Sequence, residues 1–333
     1  MYADRRERYR ALEAERGSRL LVYVTGDRQG MEIQIGADVF DFFVNHLDRI
    51  GVVPKISLLL YTRGGNTLAA WGIANLLRTF CDDFEVIVPS KAHSAGTLIS
   101  LAANRIVMTK QATLGPIDPS VTTPLNPHLE GAPPQVRVPV NVENVKGFVD
   151  FARETAGEEA DLTPVLLHLA AAIHPMVLGQ AHRSRSQIRM LARALLAGHM
   201  ADTEAVERIL GFLCGDSGSH DYTINRREAV AQLSLPVEKP SQELYDVIKA
   251  VYDDVSAELK LTEPYDPNRV ANVQPNAQYI FVRGLIESVD GGSDTFVSEG
   301  VLAAQQVQTP QGPQNAVFDR RTFEGWRHHD VQD

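Results

Sequence analysis

Four runs of β-branched and apolar residues punctuate the early part of the chain: "RLLVYVTG" (Arg19 to Gly26), "ISLLLYT" (Ile56 to Thr62), "FEVIVPS" (Phe84 to Ser90) and "RIVMT" (Arg105 to Thr109). Each has the length and make-up of a buried strand. Between them the apolar residues change to helical spacing, around Ala37 to Ile50, through "GGNTLAAWGIANLLRTF", and over Thr97 to Asn104. Strands and helices alternating at this pace predict a parallel sheet with helices on its faces, an α/β core.

With 333 residues and 44% hydrophobic content, the chain can bury one large core or two ordinary ones. Its opening, "MYADRRERYRALEAERG", reads as a charged helix, which sets the expected division at 1–18 (helix), 19–262 (main domain) and 263–333 (β-rich C-terminal part). Prolines crowd the stretch Pro119 to Pro139, predicting a surface loop without regular structure. From Val142 to about Leu213 the pattern is helical, and Asp221 to Val237 reads as a short extended piece, a capped helix and a terminal strand. A polar linker near Tyr265 to Gln278 precedes Tyr279 to Gln308, which reads as two or three strands with a Gly-Gly turn, a small appended subdomain.

Several function classes are disfavoured. A net charge of -10 argues against a nucleic-acid partner, and the basic stretch "HRSRSQIRMLAR" (His182 to Arg193) is read as a solvated helix face or a subunit contact. No window reaches the roughly eighteen consecutive apolar residues of a membrane span. The N-terminus lacks the apolar core of a signal peptide. Cys81 and Cys214 suit a reducing compartment and are too few for a zinc site or a disulfide framework, so a cytoplasmic location is expected. HExxH, CxxC and Walker A patterns are absent from the sequence, so no metal or other cofactor is called for. Any dependence on ATP would come from an activating partner chain.

Chemistry gathers at "VPSKAHSAGTLISLAANRIVM" (Val88 to Met108). Acyl transfer needs an activated hydroxyl, a base, and backbone N–H groups aimed at the developing oxyanion. Ser94 stands where a strand gives way to a helix, followed by the small Ala95 and Gly96. Gly64 and Gly65 follow the strand "ISLLLYT" and would reach the same sheet edge if the two strands are neighbours. Taken singly, a serine before a helix is an N-cap and a Gly-Gly pair is a turn.

In combination, "TRGGNTLAAWGIANLL" followed by "PSKAHSAGTLISLAANRIVMTKQATLGPIDP" resembles the Clp protease/crotonase superfamily. It is most similar to the signal peptide peptidase A branch and its soluble relative, the serine dehydrogenase proteinase family. "SHDYTINRREAVAQLSLPV" and "LEAERGSRLLVYVTGDR" also resemble segments of that family, so the likeness spans roughly residues 10 to 240. It implies a Clp/crotonase-like sheet of ββα repeats, Ser94 as nucleophile, Gly65 and Ala95 as oxyanion-hole donors, and Gly64, Asn66 and Thr67 along the substrate groove. It also implies a homo-oligomer acting on peptide or protein substrates.

The Clp-type histidine base is missing, because "GPIDP" (Gly115 to Pro119) holds Ile117 and Asp118 and no imidazole. Signal peptide peptidase A relatives use a lysine, and Lys146, in "VPVNVENVKGFVDFARE", is the first choice; Lys91 and Lys110 read as turn or strand-end charges. A lysine serves as a base near neutral pH when burial disfavours its charged form. His220 and Asp221 are the supporting pair, either orienting a base or holding the last helix. His93 is expected to point away from Ser94, while His168, His174 and His182 lie on helices and, with His220, are fallback bases. The leading expectation is a soluble serine endopeptidase with a Ser-Lys dyad. Two alternatives stay open: a catalytically inactive peptidase-like scaffold, or a crotonase-like enzyme acting on CoA thioesters, which the serine of "HSAGT" disfavours.

Overall fold

The computed structural model describes residues 2–117, 119–133, 135–216, 219, 221–271, 276–309 and 312–329. In chain order the first elements are α1 (Tyr2–Arg16), β1 (Arg19–Thr25), a 3-10 turn (Ala37–Val39) leading into α2 (Phe40–Ile50), β2 (Val53–Tyr61) and α3 (Thr67–Phe80). Then come β3 (Cys81–Val88), β4 (Lys91–Ala92), α4 (Ala95–Ser100), β5 (Arg105–Met108) and β6 (Thr113–Leu114). A middle stretch holds β7 (Ser120–Val121), β8 (Val140–Asn141), α5 (Val142–Ala156), α6 (Thr163–Ala172), α7 (Pro175–Ala197) and α8 (Thr203–Gly211). The chain continues with β9 (Ile224–Asn225), α9 (Arg226–Ala231), β10 (Val237–Glu238), α10 (Gln242–Leu259), α11 (Pro267–Ala271), β11 (Asn276–Ser288), β12 (Gly292–Thr309) and β13 (Gly312–His329). These elements form two compact units, Met1–Leu114 with Asn225–Asp333, and Gly115–Ile224.

The first unit is built on a mixed sheet in the order β10-β5-β3-β2-β1-β11-β12-β13. From β10 to β1 the strands run parallel, with Leu21 opposite Leu58 and Leu58 opposite Val86. These are the apolar runs of the sequence, and their continuous burial is what a sheet covered on both faces requires. One face packs α1 and α10: Tyr9 and Leu12 of α1 and Ile248, Val251 and Val255 of α10 join Val22, Leu59 and Ile87 in a single core cluster. The C-terminal strands extend this sheet rather than forming one of their own. β11 pairs antiparallel with β1, Tyr23 opposite Ile286, so that β1 does not present a bare apolar edge. β13, beyond the strands read from the sequence pattern, pairs with β12 along its whole length.

The buried charged side chains of this unit include two ion-pair networks. Arg5 of α1 donates to both carboxylate oxygens of Glu287 on β11, at 3.0 and 2.6 Å, and to Asp254 on α10 at 2.9 Å. Glu85 on β3 accepts from Arg16 Nε at 2.9 Å and Ser57 Oγ at 2.8 Å, with Lys55 Nζ at 3.2 Å. Burial by itself pushes the Glu85 carboxyl up, but these hydrogen bonds and neighbouring cations outweigh it and hold the group below the usual glutamate value. A depressed pKa contributes stability above the unfolded-state value of about 4.3, and that contribution is lost as pH falls through the folded-state value. Glu85→Gln is therefore expected to be less stable than wild type at pH 7 and to show a flatter fall in melting temperature between pH 5 and pH 3, read by circular dichroism across that range. An unchanged slope would remove Glu85 from the acid transition.

In the second unit the proline-rich loop is bracketed by short strands, β7 pairing with β8 through Ser120↔Asn141 and Val121↔Val140. Asn126, fully enclosed, ties the loop together by donating to Val121 O at 2.7 Å and Val138 O at 2.9 Å. Four helices follow, α5 to α8, each of α5, α7 and α8 capped by a side chain: Asn141, His174 and Asp202. Among the described residues no single helix is long and apolar enough to cross a membrane; α6 and α7 reach that composition only as a pair bent by 101°.

Candidate active site

Ser94 occupies the position before the first residue of α4, but it does not behave as a cap. Its side chain makes no capping hydrogen bond. Its backbone, at φ 50° and ψ -114°, lies far from the extended conformation of an N-cap residue. Gly96 N–H donates to His93 O at 2.8 Å, which closes a four-residue turn with Ser94 at its first central position. Those angles are those of a type II′ turn, where glycine is the preferred residue. A serine here carries backbone strain of about 1–3 kcal/mol, of the kind found at functional sites. The surrounding structure enforces it: Thr62 N–H donates to Lys91 O at 3.1 Å and His93 N–H to Thr62 O at 3.1 Å, locking the approach to the turn onto the end of β2.

The glycine loop lies against this turn. A Cβ on Gly64 would stand 2.6 Å from Ser94 Cβ and 3.1 Å from Ser94 Oγ, so only glycine allows the two segments to meet. On the loop's other edge, Ile35 N–H donates to Gly64 O at 2.9 Å and Asn66 N–H to Ile35 O at 2.8 Å. The peptide bonds of this loop are trans. Because a trans peptide points its N–H opposite to its C=O, the Gly65 N–H and C=O both face away from Ile35. Among the described residues neither the Gly65 N–H nor the Ala95 N–H is spent on an acceptor, and the Ser94 hydroxyl has no hydrogen-bond partner. An unspent hydroxyl beside two unspent backbone donors is the set of groups that acyl transfer uses.

Asn66 caps α3, its Oδ1 accepting from Ala69 N–H at 2.9 Å, and Thr67 opens that helix. Next to it an apolar cleft of ≈ 460 Å³ is lined by Val39, Phe40, Asn66, Leu68, Ala69 and Ile73, among others. The remaining polar candidates have varied surroundings. Lys91 is held by Asp27 at 2.8 Å and lies over the Tyr61 ring, whose own hydroxyl donates to Asp27. Burial, with Asp27 beside it, pushes the Tyr61 hydroxyl up. Lys110 lies over the Tyr245 ring, 4.3 Å from its centre. His93 Nε2 is 2.8 Å from Thr113 Oγ1.

Ser94 and its glycine loop belong to the first unit, whereas Lys146 and Asp221 belong to the second. Lys146 lies in α5 with its side chain exposed, and Asp221 is also exposed. His168 and His182 are exposed on their helices, and His174 caps α7. His220 lies outside the described residues. Sequence reasoning misses two contributors, Ile35 and Thr62. Ile35 sits in "MEIQIGADV", whose pairing with a loop some thirty positions away has no local signature. Thr62 is visible in the sequence only as the polar end of an apolar strand.

Comparison with known proteins bears on the resemblance read from the sequence. Residues 1–130 match the model of the family of ClpP-like SDH-type serine proteinases. Two uncharacterized proteins of Methanocaldococcus jannaschii are similar over shorter stretches. One, MJ0137, is 46% identical over 78 residues, covering 22% of this chain and 27% of its own. The other, MJ1495, is 34% identical over 120 residues, covering 34% of this chain and 40% of its own. The chain thus spans less than half the length of these curated relatives. Solved structures include a serine-to-alanine mutant of the 1510-N membrane-bound stomatin-specific protease, at 15% identity and a TM-score of 0.39, covering 64% of this chain and 79% of that one. A lysine-to-alanine mutant of the same protease, in complex with a substrate peptide, aligns at 15% identity and a TM-score of 0.38, covering 63% and 73%.

Proposed function

We propose that the chain is a serine endopeptidase in which Ser94 is the nucleophile. The observation that carries this reading is the strained, non-capping Ser94, its hydroxyl unspent and its Cβ against Gly64. Ser94 Oγ attacks the peptide carbonyl, and the Gly65 and Ala95 N–H groups receive the oxyanion, each donor typically supporting about 10²–10³ in rate. Lys146 is the proposed base: its neutral amine takes the serine proton and returns it to the leaving amine. Its side chain is exposed in the single chain, and bound substrate, or a second copy in a homo-oligomer, is proposed to cover it. Asp221 and His220 are proposed to support the base. The extended substrate adds along the free edge of the glycine loop, Gly65 C=O accepting from a substrate N–H, with Asn66 and Thr67 at the groove. A cytoplasmic location is proposed from the sparse cysteines.

The test is labelling of the purified protein with a fluorophosphonate, mapped by mass spectrometry, beside hydrolysis of casein and a fluorogenic peptide library. Label on Ser94 with peptide turnover supports the reading; an unlabelled, inactive wild type overturns it. Lys146→Ala is expected to lower turnover by about 10²–10⁴-fold. A Lys146→Ala protein with unchanged turnover would show that the base is elsewhere and send the search to the histidines.

A further inference from the structure

Resting on the peptidase reading, we infer that Thr62 is the positioning residue of the oxyanion hole, holding the glycine loop and the Ser94 turn in register through one side chain and its backbone. Thr62 is fully buried between the end of β2 and the glycine loop. Its Oγ1 accepts from Gly64 N–H at 2.9 Å and from Thr25 Oγ1 at 2.6 Å. Its own proton faces Gly64 O at 3.4 Å. The hydroxyl is therefore surrounded by the loop that carries Gly65 and by a second hydroxyl from β1.

The other two parts of Thr62 reach the nucleophile side. The methyl group lies where a Cβ on Gly96 would be 2.3 Å from it, so it packs directly on the glycine that follows Ala95. The backbone N–H and C=O bond Lys91 and His93, the residues that lead into Ser94. Gly65 N–H and Ala95 N–H come from segments separated in sequence, and acyl transfer needs both aimed at one oxygen. Thr62 is in contact with both segments at once. A misplacement of about 1 Å in such a donor can cost on the order of 10²-fold in rate.

The expected result for Thr62→Val, which keeps the methyl and removes the acceptor, is a fall in kcat of about 10–100-fold with KM changed by no more than about threefold. Thr62→Ser, which keeps the hydroxyl, should recover most of the loss. Thr25→Val, which leaves the Thr62–Gly64 bond in place, should stay close to wild type. Hydrogen exchange over residues 62–66 provides a readout that does not depend on catalysis, and Thr62→Val should speed it while circular dichroism stays unchanged. Faster exchange in Thr62→Val with undiminished turnover and fluorophosphonate labelling would overturn the positioning role and leave the peptidase standing. A wild type that neither turns over peptide nor takes the label overturns both, whatever the exchange shows. If Thr62→Val loses its fold, Thr62→Ser carries the test: turnover close to wild type supports the role of the hydroxyl, and turnover lowered about 10-fold or more with residues 62–66 still protected would overturn it.

Discussion

Replacing Ser94 with alanine is expected to reduce peptide hydrolysis by about 10⁴-fold or more, because the residual oxyanion donors and substrate binding cannot replace the covalent step. Ser94→Gly is expected to be equally inactive and, unlike most inactivating changes, to be more stable than wild type by roughly 1 kcal/mol. The reason lies in the backbone. At φ 50° and ψ -114° a serine is strained and a glycine is not. The gain is reduced by the greater freedom of glycine in the unfolded chain, which is why it stays below the full strain energy. Urea denaturation of the three proteins, beside fluorophosphonate labelling, measures both effects together. A Ser94→Gly protein less stable than wild type would mean that the turn is unstrained and that the serine there supports the fold. The expected pairing of lost activity with gained stability is the mark of a residue kept for chemistry at a structural cost.

The second large effect concerns stability alone. Arg5→Leu should destabilise the protein by about 3–5 kcal/mol, a large fraction of a typical domain stability. Arg5 and Glu287 are both fully buried and meet through two hydrogen bonds, and Tyr9 and Ser293 hydroxyls also donate to Glu287. Removing the guanidinium leaves a carboxylate in a dry site, and the cost comes mostly from that uncompensated charge rather than from the lost pair. The double variant Arg5→Leu/Glu287→Gln should therefore recover part of the loss, and the coupling between the two sites should exceed about 1 kcal/mol, on the usual scale for direct contacts. Additive effects of the two changes would show that the pair is not the anchor of α1. Loss of this anchor should also release the N-terminal helix, making α1 the first segment to exchange its amide hydrogens.

Much of this architecture is readable in the residues. The parallel strands β1, β2, β3 and β5 follow from apolar runs long enough to be buried on both faces, and α9 is announced by Asn225 as its cap before "RREAVA". β13 is not legible, because "GPQNAVFDRRTFEGWRHH" has no clean alternation; it pairs with the chain through backbone groups, which carry no sequence signal. α1 reads as a charged helix, and only the fold shows that one of its arginines is a core residue, since its partner Glu287 lies 282 positions away. The prolines mark the loop before β8, while the role of Asn126 as its internal brace depends on carbonyls brought back by the turn.

At the candidate site, sequence alone determined which atoms are available: a serine hydroxyl before a short apolar helix, a glycine pair after a strand, and a lysine beyond the proline-rich loop. Composition and order are enough for that, since small residues permit close approach and apolar runs compel strands wherever they occur. Only the tertiary structure decided that the Ser94 side chain does no capping. Its turn is closed by the Gly96 N–H on His93 O and entered from a strand that pairs with Thr62, and its neighbour Gly64 is a residue from beyond another strand. Backbone strain of this kind is a property of contacts distant in sequence, so no local propensity could have revealed it.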